Sequence, residues 1–411
     1  MRVLYAVHQF MPEYIGGTEQ DTWEVAERMR ARDHEVAIVH RAPGRAGLVR
    51  TQRDAIPVYR IEAGSMNTWS LFRATFGSPR VMRQFQTVFR AFQPDLVHFQ
   101  HLRGLPPRVV GWVKDQGCPV VISLRDFWFV CPNAQLLNYE TGDLCTTPGE
   151  PFHCARCGLV RIGLRSLLPV AAVFVPLMVR RNQILRAVME QAHALFTYSG
   201  FVQTWYAERG IAMGNLHYIP RGIPRPEMPP APRGDDSKIR FVYIGGLSWQ
   251  KGVHVLIEAF NGLDQRAELL IAGDETQYVD YVRALHAAAH HPGIKFLGRI
   301  DRDTVWRTLA AADAVVVPSL WYETFSMLTH EAFAMHVPVI ASDHGALAEA
   351  VDHGVDGLLV PPGDVAAWRK AMQRFVESDA LRVRLRAGVT SPLTMRAYLD
   401  HLEDYYRRIE R

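Results

Sequence analysis

Short apolar runs alternate with helical stretches from one end of this 411-residue chain to the other. That alternation leaves little choice of architecture. The runs at residues 2–7, 35–40, 57–61, 95–100, 119–124, 194–198 and 216–219 read as strands, and helical patterns fill 18–31, 79–92, 105–116, 180–192 and 200–209. Strands alternating with helices imply βαβ units and parallel sheets. The pattern breaks at residues 220–234, where Pro220, Pro224, Pro226, Pro229, Pro230 and Pro232 make an extended connector. It resumes with strands expected at 239–244, 268–272, 294–297, 314–317, 338–341 and 357–360, and a late helix at 364–378. The expected fold is therefore α/β, with two doubly wound, Rossmann-like domains facing each other across a cleft and ligand at the carboxyl ends of the strands. The boundaries fall at 1–222 and 237–390, and residues from about 393 to 411 read as a helix that packs back on the first domain.

Composition narrows the function classes. At 48% hydrophobic and 21% charged residues the chain resembles ordinary globular proteins, and a net charge of +4 is too small to argue for nucleic acid. No Gly-x-Gly-x-x-Gly fingerprint is present, so NAD is not expected, nor is there a Walker-type loop; PLP is not expected either. The N-terminus reads as a first strand rather than a secretory leader, and no stretch reaches the roughly 18 apolar residues needed to span a bilayer. The nearest, Leu167 to Val179, carries two prolines and is flanked by Arg161, Arg165, Arg180, Arg181 and Arg186. It reads either as a buried or inter-domain segment or as a monotopic patch on anionic lipid that admits a lipid-linked acceptor. The expected location is the cytoplasm, with the inner face of the membrane included if the second reading of this stretch holds.

The chemistry concentrates between residues 321 and 334. Glu323 and Glu331 stand eight residues apart, one on a loop after a strand and the other about two turns into the following helix. A helix start presents unpaired N–H groups and suits a phosphate. One acid could meet each end of a phosphate ester bound there. In the same half, Gly245 and Gly246 follow a strand and lead to Lys251, which offers a point charge to a diphosphate. In the first half Gly16 and Gly17 open a helix after the first strand, a weaker signal. His98 and His101 flank a strand end on the ligand face.

These elements together resemble the family 4 glycosyltransferases, retaining enzymes of GT-B fold. The resemblance runs over about 120 residues, through residues 245–252, 271–274, 296–299, the Glu323–Glu331 pair, 338–342 and 357–364. It implies a nucleoside diphosphate sugar donor (UDP-, GDP-, dTDP- or ADP-linked) and retaining, hexosyl-type transfer to the hydroxyl of a saccharide, lipid-linked saccharide or small molecule, with no catalytic metal. Glu331 would bind the ribose and Glu323 the donor sugar, beside Thr324 and the backbone of Phe325, Ser326 and Met327. Lys251 would hold the diphosphate, and Arg299 and Ile300 would line the base. His101, Arg125 and Asp126 would face the reaction from the first domain. Three positions depart from the family: Gly246 replaces an arginine, Arg125 a histidine and His336 a small residue. Arg125 is a candidate to supply the charge missing at Gly246. The alternatives are a nucleotide-sugar epimerase and a non-catalytic sugar-nucleotide-binding or partner-binding protein.

Cys131, Cys145, Cys154 and Cys157 form a separate cluster in a Cys-rich insertion at about 131–157, a Gly/Pro/Thr-rich stretch that reads as a long irregular loop. A terminal C-x-x-C with two further thiols fits a structural tetrahedral zinc, with free thiols, disulfides and an iron–sulfur cluster as alternatives.

Overall fold

The computed structural model describes residues 1–211, 214–225 and 238–410; residues 226–234 of the proline-rich connector lie outside them. The chain divides into two compact units, Met1–Pro220 with the residues from Leu399 onward, and Arg221–Tyr398.

The first unit carries an eight-stranded sheet built from β1 (Arg2–Val7), β2 (Glu35–Ala42), β3 (Gly44–Arg53), β4 (Ile56–Gly64), β5 (Leu96–Phe99), β6 (Val120–Ser123), β7 (Ala194–Thr197) and β8 (Leu216–Tyr218). Its order is β3-β4-β2-β1-β5-β6-β7-β8, parallel except for β3 on β4. Val3 through Val7 are fully buried, which explains why this strand is a continuous apolar run. The sequence did not signal β3, because its residues, GRAGLVRTQR, are mostly polar and exposed at the sheet edge. The chain runs outward from β1 in both directions, so the ends of β1 and β5 form a switch point where loops part.

The second unit repeats the scheme with β9 (Ile239–Ile244), β10 (Ala267–Ala272), β11 (Ile294–Gly298), β12 (Ala314–Val317), β13 (Val339–Ser342) and β14 (Gly357–Val360), all parallel in the order β11-β10-β9-β12-β13-β14. The switch point lies between β9 and β12. Phe241 of β9 packs against the rings of Phe260 and Phe375, from helices on the same face. Helices start on side-chain caps, with Asp301 accepting from the Thr304 N–H and Asp364 from the Ala367 N–H.

The last helix, Met395–Glu410, begins in the second unit and ends in the first. Its C-terminal part is fixed by Tyr406 Oη, 2.5 Å from His98 Nδ1, and by Asp400 and Glu403, which accept from Arg32 at 2.7 and 3.0 Å.

Two readings of the sequence need correction here. The Cys-rich insertion is not irregular throughout, since Glu150 caps a helix at Pro151–Arg161 that holds Cys154 and Cys157. The helical run Arg165–Gln191 is long and apolar enough, by length and composition, to cross a membrane, although no such stretch was expected. Its first part is a 3-10 turn kinked at Val170, where φ is −106° and Pro169 precedes. Its second part packs Met178, Leu185 and Val188 into the first unit, so the two halves differ in role.

Candidate functional site

In the second unit, the loop after β9 is drawn against the end of β12. Gly252 has φ +70°, and a Cβ there would lie 1.9 Å from the Pro318 carbonyl oxygen, so only glycine fits. The Leu320 N–H donates to the Gln250 carbonyl at 2.9 Å and pins the two loops together. This close approach carries Lys251 to Glu323, with Nζ 2.8 Å from Oε1. The same oxygen accepts from Ser319 Oγ at 2.6 Å and Trp321 Nε1 at 3.0 Å. Burial alone would raise the Glu323 carboxyl, but Lys251, Ser319 and Trp321 hold it below its ordinary value. A fixed carboxylate results. Lys251 also lies 5.1 Å from the Trp321 ring centroid, which limits where its ammonium can go.

Ser326 precedes the helix Met327–Ala334 with φ +63°, a conformation that costs energy in a residue bearing a Cβ. Strain of this kind collects at ligand sites. The helix start that follows offers its unpaired first-turn N–H groups just beyond Glu323. Glu331 is 5% exposed and accepts from Arg302 Nη2 at 2.5 Å. Arg302 stacks on Trp306 at 4.5 Å. Phe325 stacks flat on His330 at 4.0 Å. Arg299 is exposed, and Ile300 packs beside the core under β12. Thus Glu323, Thr324, Phe325, Ser326, Met327, Glu331, Lys251, Gly245 and Gly246 all lie at the carboxyl ends of β9 and β12, while Arg299 and Ile300 follow β11. Among the described residues nothing lies within 4 Å of a Cβ built on Gly246, so no steric rule requires glycine there.

The first unit holds a second polar cluster, at the ends of β1, β5 and β6. His101 Nδ1 accepts from the Arg103 N–H at 3.0 Å, which places its proton on Nε2, 3.0 Å from Asp126 Oδ2. Asp126 also accepts from the Trp128 N–H at 2.8 Å. Burial acts to raise the Asp126 carboxyl, but His101 and the Trp128 N–H outweigh it and leave it below the usual range. His8 stands 4.5 Å from the His101 ring and is held well below the usual histidine value, first by burial and then by His101 and Arg103. Its neighbour Glu19, at 3.6 Å, is raised by burial, so both tend toward neutrality. Gly16 is explained by Glu19, whose side chain returns to the Gly16 N–H at 2.8 Å; Gly17 has open space around it.

Arg125 differs from expectation. Its guanidinium pairs with buried Asp21, bonds Gln100 and lies 4.1 Å over the Tyr198 ring, all within the first unit. That charge is matched locally, so the idea that it compensates for Gly246 has no support in these contacts. His98 is fully buried and bonded to Tyr406 and Ser123, and is a core residue. Sequence reasoning missed His8, Glu19, Asp21, Arg302, Ser319 and Trp321. Asp21 and Glu19 are acids on the buried side of the first helix, and that mismatch with an apolar face was the available signal.

The four cysteines are not drawn to ligand distance. Among the described residues, no group of three or more His, Cys, Asp or Glu could hold a metal ion. Cys157 Sγ instead accepts from Asn133 Nδ2 at 3.0 Å and the Tyr139 N–H at 3.3 Å. Burial pushes the Cys154 thiol up to about 12 and Cys157 to about 11.

A family model described as Glycosyltransferase Family 4 matches residues 15–225, just over half the chain, and one described as Glycosyl transferases group 1 matches residues 238–378. Glycogen synthase of Mycobacterium tuberculosis H37Rv is 24% identical over 404 residues, covering 96% of this chain and 90% of that protein. An uncharacterized glycosyltransferase of Methanocaldococcus jannaschii is 36% identical over 140 residues, but the match covers only 33% of this chain and 35% of that protein. Among solved structures, sucrose-phosphate synthase from Thermosynechococcus elongatus superposes with a TM-score of 0.76 at 19% identity, covering 100% of this chain and 99% of that one. HepE of Anabaena, solved with UDP-glucose, superposes with a TM-score of 0.68 at 18% identity, covering 99% and 100%. The fold is GT-B, with two α/β units of Rossmann-like topology.

Proposed function

The chain belongs to glycosyltransferase family 4, and from that premise we propose that it moves a hexosyl group from a nucleoside diphosphate sugar to an acceptor hydroxyl with retention of configuration. The observation that carries this reading is the Lys251–Glu323 pair beside the start of the helix Met327–Ala334. An ammonium and a helix N-terminus together suit a diphosphate, whose negative charge grows as the bond to the sugar breaks. The depressed carboxyl of Glu323 is an acceptor for hydroxyls of the sugar, and Glu331 for those of the ribose.

In the proposed step the bond between the anomeric carbon and the leaving phosphate oxygen breaks while the acceptor oxygen attacks from the same face. The acceptor's proton passes to the departing phosphate, so no protein nucleophile is consumed. His101, oriented with its Nε2–H toward Asp126 and its Nδ1 toward the Arg103 N–H, acts as an orienting donor rather than a base in this scheme. UDP-glucose stands first among donors to try, because the Anabaena neighbour was solved with it.

Thermal shift with UDP-, GDP-, dTDP- and ADP-sugars tests donor binding, since a ligand that binds only the folded state raises the melting temperature. Proton NMR of the product's anomeric signal tests retention, and an inverted product would refute it. Cytoplasmic placement is part of the proposal and is tested by cell fractionation. A structural zinc is proposed only from the spacing of the four cysteines and would need the thiols closer than they stand. Metal analysis of the purified protein decides it.

A further inference from the structure

The first unit contains an apolar pocket of about 270 Å³, bounded by Phe72, Trp128, Leu159, Phe174 and Met178, with Arg103 on its polar side. That is near the roughly 300 Å³ where ligand pockets begin, and it suits part of a chain rather than a sugar nucleotide. Two of its walls lead elsewhere. Trp128 lies 5.8 Å from the His101 ring, and the Arg103 N–H bonds His101, so one end of the pocket adjoins the His101–Asp126 pair. The other wall is the surface formed by the helix Pro151–Arg161, the kinked turn Arg165–Phe174 and the start of the next helix.

That surface is apolar and exposed. Val173 is 75% exposed, Trp69 55%, Val170 48% and Ile162 46%. Only 17% of the most apolar window in Arg165–Gln191 is buried. A water-facing patch of this kind marks an interaction site. Its charge selects the partner. Between Glu150 and Glu190 there is no acidic residue; of the six arginines in the interval, Arg181 is buried, Arg156 pairs with Glu140, Arg186 pairs with Glu190 and Arg161 donates to the Asn133 carbonyl, so the surface's cationic character rests on Arg165 and Arg180. Arg165 and Arg180 are exposed at the two ends of the apolar turn. Apolar residues between cationic ones match an anionic bilayer, which takes the former into its acyl region and the latter at its headgroups.

We propose that this surface rests on anionic membrane and that the adjoining pocket receives the hydrocarbon chain of a lipid acceptor, leaving its head group beside Arg103 and His101. This names the acceptor class for the glycosyl-transfer reading and rests on that reading, although membrane docking and chain binding are measurable without turnover. Gly158 supplies the decisive variant. It lies in a helix on the pocket wall, and among the described residues a Cβ there meets nothing within 4 Å, so the side chain of Gly158→Phe starts without a clash and is expected to narrow the pocket.

Co-sedimentation with vesicles of phosphatidylcholine alone, and of phosphatidylcholine with phosphatidylglycerol, tests the surface. Binding should require phosphatidylglycerol, weaken in high salt as screened charge does, and be lost in Val173→Glu. Quenching of tryptophan fluorescence by dodecyl phosphate below its micellar concentration tests the pocket, because Trp69 and Trp128 line it. Affinity should fall about tenfold or more in Gly158→Phe, as expected when apolar burial is blocked. Inorganic phosphate should give no quenching. Stabilisation by UDP, measured by thermal shift, should be the same in both variants and the parent. If UDP stabilises none of the three, the donor reading fails while the vesicle result stands. Equal sedimentation of the parent and Val173→Glu, or unchanged dodecyl phosphate affinity in Gly158→Phe, overturns the proposal.

Discussion

Lys251 Nζ lies 2.8 Å from Glu323 Oε1, a contact between residues 72 positions apart that depends on the absence of a side chain at Gly252. The pair joins the loop after β9 to the loop after β12, and each partner fixes the other. Replacing either should therefore affect both chemistry and stability, but unequally. Lys251→Met leaves a carboxylate that is only 12% exposed without its cation, at a cost of about 2 kcal/mol, whereas Glu323→Gln keeps shape and hydrogen bonding. Sugar transfer should fall about 100-fold in both, the size seen when a group that stabilises transition-state charge is removed. The melting temperature should drop more in Lys251→Met. Steady-state kinetics with differential scanning fluorimetry checks this, and wild-type turnover in both variants would refute the site.

Gly246 invites a gain rather than a loss. A side chain there meets open space, and the Gly246 carbonyl is already held by Tyr243 Oη at 2.8 Å. Gly246→Arg should place a guanidinium beside Lys251 and tighten UDP binding by about tenfold, the scale of one charge-assisted hydrogen bond. Isothermal titration with UDP measures it. Unchanged affinity would mean that the diphosphate does not approach this loop.

Much of the fold was legible because strands such as β1 and β12 are buried on both faces and must be continuously apolar. β3 escaped because an exposed edge strand has no apolar face to report. The helix Pro151–Arg161 escaped because glycines, prolines and cysteines around it read as loop. Within the site, local sequence located Glu323, Glu331 and Lys251, since a strand, a loop and a helix start are local signals. Their partners were not local. Arg302 reaches Glu331 across 29 residues, and Asp21 on the first helix reaches Arg125 in the loop after β6. Such pairings depend on strand order, which a single sequence does not display.

His336 follows the helix Met327–Ala334 with φ +55°. The His336 N–H donates to the Phe333 carbonyl at 3.0 Å and the Val337 N–H to the Ala332 carbonyl at 2.9 Å, the Schellman arrangement that glycine favours. The imidazole is exposed, so little packing would be lost on its removal. His336→Gly should stabilise the second unit by about 1 kcal/mol through relief of left-handed strain. A rise in melting temperature without change in donor affinity is the expected result; a fall would mean that the side chain makes a compensating contact.

The Arg302–Glu331 ion pair, at 2.5 Å, suggests that Arg302 aims the Glu331 carboxylate. If so, Arg302→Met and Glu331→Gln should each weaken UDP binding several-fold, and the double variant should bind no worse than Glu331→Gln alone. A double-mutant cycle by calorimetry gives the coupling. Additive losses would show that Arg302 acts independently of Glu331.

Acid should destabilise the first unit through its buried histidines. Burial holds His8 and His98 well below the usual histidine value and His40 at about 4. In the unfolded chain each titrates near 6.5, so as pH falls below that value the unfolded state binds protons that the folded state refuses. Their stabilising contribution is complete above about pH 6.5 and is lost at about 1.4 kcal/mol per histidine per pH unit below it, until each folded-state value is passed. The depressed carboxyls of Asp126 and Glu323 add a loss only at more acidic pH, below the ordinary carboxylate range. The first effect therefore appears between pH 6.5 and 5, where carboxylates are still ionised. Melting temperatures measured at pH 7.5, 6.5 and 5.5 at fixed ionic strength should be nearly equal for the first two and clearly lower for the third. A flat profile would mean that these imidazoles take up protons in the folded protein, and would contradict their burial among His101, Arg103 and Arg125.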